Sequence, residues 1–147
     1  GISNPMHKTA NENILNKKIL IVDDDERFLR ALVKLLRSEG ASVTATQWAV
    51  DAMDALSRLE KFDLVITDLR MPLVHGGMLV RSIRMISPDL PIIVLTAFGA
   101  QETREDLLRQ GATAFLEKSL ESSELLAEIQ KPFESQSPRP GPSDPRL

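Results

Sequence analysis

Three aspartates in a row, Asp23, Asp24 and Asp25, follow the apolar run ILIV at residues 19–22. Neighbouring carboxylates suppress one another's ionisation, so an acidic cluster at the end of a buried segment needs a cation to balance it. Another aspartate, Asp68, closes the apolar run DLVIT; Thr96 closes PIIVL, and Lys118 comes soon after TAFL. A set of hard carboxylate oxygens suits Mg²⁺, with Mn²⁺ as a substitute, and disfavours soft metals. An ammonium and a hydroxyl opposite a metal-bound carboxylate are partners for a phosphoryl group. Asp68 can then act as a nucleophile, because carboxylates form aspartyl phosphates and an ionised one has no proton to lose.

These residues are useful only if the chain folds their segments to one rim, and the pattern of the sequence provides for that. Short apolar runs at Lys18–Val22, Ala41–Thr46, Asp63–Thr67, Pro91–Leu95 and Thr113–Leu116 read as strands. Between and after them stand helical patterns: Glu26 to the stop at Gly40, Ala49–Leu59, Met78–Ile86, Gln101–Gln110 and Ser122–Gln130. The segment LRMPLVHGG, residues 69–77, carries Pro and two glycines and reads as a loop. Five βα units with near-continuous apolar strands predict a doubly wound, five-stranded parallel α/β sheet covered by helices on both faces. Ligands of such sheets bind at the carboxyl ends of the strands, where strand order reverses. In the flavodoxin-like order 2-1-3-4-5, the first and third strands are neighbours about 4.8 Å apart, which gathers Asp23, Asp24 and Asp68. The second strand ends in Thr46 and Gln47, which offer no chemistry.

The totals narrow the classes. A chain of 147 residues suits one domain with tails. The absence of cysteine excludes disulfides, thiolate catalysis and Cys-based zinc sites, and two histidines, His7 and His75, are too few for a His-rich metal site. A net charge of −3 gives no broad basic field, so nucleic acid is not an expected partner of this domain. No apolar run reaches the length of a membrane span and the N-terminus carries no apolar signal segment, so the expected location is the cytoplasm. Residues 1–16 read as a disordered polar arm that includes an expression scar ahead of Met6. Residues 17–131 read as the folded domain, and 132–147, rich in Pro and Ser, as a tail or the start of a linker.

The stretches ILIVDDD, DLVITDLRMP, PIIVLTAFG and GATAFLEK, in that order, resemble the receiver domain of two-component response regulators, with the fold of the chemotaxis regulator. The resemblance covers almost all of residues 18–130. It implies that Asp68 is the phosphoacceptor, and that Asp23, Asp24, Asp68 and the backbone carbonyl of Arg70 hold Mg²⁺. It implies that Thr96, Ala97 and Lys118 surround the phosphoryl group, and that Thr96 and Phe115 form the switch. The donor would be a sensor histidine kinase or a histidine phosphotransfer protein. The output would be partner binding or a homodimer through the fourth helix, fifth strand and last helix. Such a domain is a phosphorylated signalling switch, not a turnover enzyme.

Asp25 follows the acidic pair and is expected to cap the next helix rather than bind metal. Two departures stand out. The family usually has Pro after the lysine, across a cis bond; here Ser119 follows Lys118, and both a trans bond and a strained cis bond are open. Arg70, two residues past Asp68, sits where side chains affect the lifetime of the phosphoryl group. Two other functions remain to be weighed. One is a receiver-like binding module that no longer uses phosphate, as a fold does not fix function. The other is a haloacid-dehalogenase-type phosphatase using the DxD spacing of Asp23 and Asp25, although Arg27 stands where that motif has Thr or Val and no cap insertion is present.

Overall fold

The first strand, β1 (Lys18–Val22), is buried along four of its five residues and is flanked on both sides by other strands. The computed structural model describes residues 13–58, 61–71, 74–97 and 101–134. With β2 (Ser42–Thr46), β3 (Leu64–Asp68), β4 (Ile92–Thr96) and β5 (Ala114–Glu117), it forms one parallel sheet of order β2-β1-β3-β4-β5. The helices are α1 (Glu26–Ser38), α2 (Ala49–Ser57), α3 (Gly76–Ile86), α4 (Gln101–Gln110) and α5 (Ser122–Glu134). The expected flavodoxin-like order is therefore the observed one.

Alternation along each strand divides the core into two. Ile19, Ile21, Leu64, Ile66, Ile93 and Leu95 face α1 and α5. Leu20, Val22, Val65, Ile92 and Val94 face α2, α3 and α4. Every residue of β3 and β4 is buried, which is why both read as unbroken apolar runs. Among the described residues, no helix is long and apolar enough to cross a membrane.

Asp25 is the N-cap of α1, its Oδ1 accepting from the Phe28 N–H at 3.2 Å, as its position suggested. Past the end of α1, Gly40 takes a φ of +95°, a backbone conformation that favours glycine, and its carbonyl accepts from the Asn16 N–H at 2.8 Å. That bond ties down a turn ahead of β1 and corrects the expected boundary at Lys17. Ile14, in the turn, is 0% exposed and belongs to the α1/α5 core. Ile14→Ala should therefore destabilise the domain by about 2–5 kcal/mol in urea unfolding, a cost no solvated arm would show.

The packed unit also runs past 131. Helix α5 continues to Glu134 through Pro132, because burying Phe133 in the core outweighs the proline so near the helix end. The segment 69–77 is more than a loop. Arg70–Met71 pairs antiparallel with Val74–His75, and α3 starts at Gly76 rather than Met78, capped by His75 Nδ1 accepting from the Gly77 N–H at 3.0 Å. The bond between Lys118 and Ser119 is trans. Residues 1–12, Leu59 and 135–147 lie outside the described residues.

Candidate functional site

The carboxyl ends of β1, β3, β4 and β5 form one rim, and parallel pairing sets their residues level. Val22 pairs with Thr67, Asp68 with Leu95, and Thr96 with Glu117. Asp23 and Asp24 leave β1 beside Asp68 at the end of β3, and carboxylate oxygens of the three lie within 4.8 Å of one another. Asp23 is 1% exposed and Asp68 7%, whereas Asp24 is partly exposed at the open side. Backbone bonds hold the rim together: the Asp23 N–H donates to the Thr46 carbonyl at 3.0 Å, Leu69 to Leu95 at 2.8 Å, and Lys118 to Thr96 at 2.7 Å.

The Lys118 ammonium enters this cluster from β5. Its Nζ lies 2.7 Å from Asp23 Oδ2 and 3.4 Å from Asp68 Oδ1. Asp23 Oδ1 accepts from the Asp25 N–H at 2.9 Å. Asp23 Oδ2 is buried without an aligned hydrogen bond among the described residues, so the ammonium balances its charge without saturating it. The Phe28 ring closes the third side of the ammonium, 4.6 Å from Nζ to its centroid.

Electrostatics follow from this crowding. Burial raises Asp23 above the usual carboxylate range, against the opposing pull of Lys118. Burial, reinforced by the Asp23 carboxylate, pushes Asp68 up to about 6 despite Lys118. For Lys118, burial lowers the pKa, but its attraction to the Asp23 and Asp68 carboxylates outweighs this and raises it. Three carboxylates set against one ammonium leave negative charge to be balanced. The buried, unsaturated Asp23 oxygen and the all-oxygen donor set therefore fit a hard divalent cation.

The other expected residues fall around this core. Thr96 is buried at the end of β4, and Ala97 follows it, exposed. Arg70 is exposed, two residues beyond Asp68 in the short ribbon. Phe115 is buried in β5 on the sheet face covered by α2, α3 and α4, its carbonyl accepting from Arg104 Nη1 at 3.0 Å. Phe28 was not among the expected site residues; no spacing signal links it to Lys118. Thr67 was also missed; it is buried, and its hydroxyl donates to the Asp68 carbonyl at 3.1 Å, bracing the backbone of the central carboxylate.

Fold and rim together define a doubly wound α/β domain with an acidic, lysine-guarded centre at its topological switch point. Within that class, residues 19–130 match the model of the response regulator receiver domain, and the chain belongs to that family, the phosphoryl-accepting domain of two-component signalling. It is 37% identical to the transcriptional regulatory protein GlrR of Escherichia coli over 120 residues, covering 82% of this chain and 27% of that protein. It is 36% identical to the response regulator MprA of Mycobacterium sp. over 130 residues, covering 88% of this chain and 56% of that protein. The chain thus spans about a quarter to just over half of these relatives. A CheY-like receiver domain structure from Methanospirillum hungatei superimposes with a TM-score of 0.77 at 28% identity, covering 82% of this chain and 96% of that one.

Proposed function

We propose that Asp68 accepts a phosphoryl group from a sensor histidine kinase or a histidine phosphotransfer protein in the cytoplasm, and that the added charge switches the surface near Phe115. The observation that carries this reading is the Lys118 ammonium between Asp23 and Asp68, at 2.7 and 3.4 Å, on the rim where the three carboxylates converge. In the ionised form an Asp68 oxygen attacks the donor's phosphorus, the P–O bond forms, and the P–N bond to the donor imidazole breaks. Lys118 neutralises charge on the transferred oxygens, the Thr96 hydroxyl reaches toward them, and Ala97 leaves the entrance open. Asp23, Asp24, Asp68 and the Arg70 carbonyl would hold Mg²⁺, or Mn²⁺ in its place, which when bound supplies charge neutralisation for the phosphoryl oxygens.

The domain acts as an acceptor with its own slow loading and loss of phosphate rather than as a turnover enzyme. Asp25, the second aspartate of a DxD spacing, serves as the α1 cap, which favours the acceptor reading over a phosphatase. Thr96 and Phe115 stand on adjacent strands whose pairing runs from Val94↔Phe115 to Thr96↔Glu117, so a shift of one can be felt by the other. Phosphorylation would then present the α4, β5 and α5 surface to a partner or to a second copy. Nucleic acid and membrane have no role in this domain's contacts.

Intact-mass analysis after incubation with Mg²⁺ and a small acyl phosphate tests the reading. One phosphoryl adduct on the wild type and none on Asp68→Asn is expected; an adduct on Asp68→Asn, or none on the wild type, overturns it. Arg70→Ala should change the rate at which that adduct decays, because the exposed guanidinium stands at the exit from Asp68; an unaltered decay would remove Arg70 from the site.

A further inference from the structure

Seven large apolar side chains are exposed among the described residues, and five of them are Trp48, Val50, Met78, Met85 and Ile86, on or capping α2 and α3. Val50 is 73% exposed and Met85 87%. Ala49, Val50, Met53, Met78, Leu79 and Ser82 line a shallow apolar groove between the two helices. Scattered exposed apolar residues need no explanation, but a concentration on one face does.

The charged flanks of this face say what covers it. On α2, Asp51 lies on the side turned toward the edge strand β2, where the Thr46 hydroxyl donates to its Oδ2 at 3.5 Å. Asp54 lies on the same outer side, paired with Arg58. On α3, the opposite flank is basic. Arg84 Nε donates to the Gly111 carbonyl at 2.9 Å, which turns this flank toward the turn between α4 and β5. Arg81, three residues earlier and so on the same flank, is exposed and has no ion pair among the described residues. Because Arg58 neutralises Asp54, the acidic flank is carried by Asp51 and the basic one by Arg81, with the apolar groove between them.

We propose that this face binds a second copy of the chain, related by a two-fold axis running along the groove. Such an axis lays α2 of each copy over α3 of the other. It brings the acidic flank of one copy onto the basic flank of its partner, twice, with Val50, Met53, Met78 and Met85 buried between. A partner of uniform charge would match only one flank, whereas a copy of this chain matches both. The surface is distinct from the one made by α4, β5 and α5. It does not rest on Asp68 being a phosphoacceptor, so the two readings stand or fall separately.

Sedimentation equilibrium of the unphosphorylated 147-residue chain, without Mg²⁺, tests this. A reversible dimer is expected. Asp51→Arg and Arg81→Asp should each weaken it at least about tenfold, while the double exchange should return it to within about threefold of the wild type. Val50→Lys should abolish it with an unchanged circular dichroism spectrum. A chain that stays monomeric up to on the order of 1 mM overturns the proposal. So do single charge exchanges without effect, failure of the double exchange to restore pairing, or a dimer broken instead by Leu108→Lys on α4.

Discussion

Replacing Lys118 by methionine should destabilise the metal-free domain by about 3–5 kcal/mol near neutral pH, the cost of leaving a buried charge without its partner. Asp23 Oδ2 is buried, and the ammonium 2.7 Å away is its counter-charge. Asp68 would lose the same ammonium while keeping its repulsion from Asp23 and Asp24. In the wild type the raised pKa of Lys118 means that its stabilising contribution is fully present below the ordinary lysine value and is lost only as pH rises through the folded one. The defect in Lys118→Met should therefore persist at neutral pH and shrink on acidification, when the orphaned carboxylates take up protons. Urea unfolding across pH measures this directly. The initial rate of phosphoryl incorporation should also fall about 100-fold or more, since a preorganised cation at the transferred oxygens is lost. Lys118→Arg separates the two effects. It keeps the charge, so most of the stability should return, but a planar guanidinium does not reproduce a compact ammonium held between two carboxylates and a ring. If Lys118→Met unfolds at the wild-type urea concentration at neutral pH, the ammonium is not what balances the buried acids.

Much of this arrangement was legible because the same apolar runs that define the strands also deliver Asp23, Asp68, Thr96 and Lys118 to their ends. The fold follows from alternation of strand and helix, and the site from what stands at each strand exit. What escaped has a physical reason. The expected limit of β5 fell one residue early because hydropathy does not register that polar Glu117 pairs in the ladder. The expected end of the last helix at Gln130 fell short because hydropathy patterning is silent on the burial of Phe133 beyond it. Ile14 and Leu15 make too short an apolar pair within a polar stretch to mark a core segment; the turn against Gly40 brings Ile14 there. Phe28 falls on the core face of α1 by spacing, yet its ring also reaches Lys118 from a strand 90 residues later in the chain. Periodicity assigns a residue to a face but does not say which distant group that face meets.

The acidic centre should be a stability defect in the free domain, and removing one carboxylate should relieve it. Asp68 has a folded-state pKa of about 6 against an ordinary 3.8, so the folded protein holds that proton more tightly than the unfolded chain. The sign follows: stability falls as pH rises between the two values and stays reduced above them. The full difference corresponds to about 3 kcal/mol, an upper bound in a cluster whose groups titrate together. Asp68→Asn, which resembles the protonated acid, should accordingly be about 1–3 kcal/mol more stable than the wild type near neutral pH without Mg²⁺. The gap should close below about pH 4, where the wild-type carboxyl is protonated in both states. Added Mg²⁺ should narrow it from the other side, because a ligand that binds only the folded state stabilises by mass action, and the wild type offers one more carboxylate than the variant. Urea denaturation of both proteins, at acidic and neutral pH and with and without Mg²⁺, gives all the comparisons needed. A variant less stable than the wild type at neutral pH in metal-free buffer would mean that Asp68 is held by its contact with Lys118 more strongly than it is repelled by its neighbours.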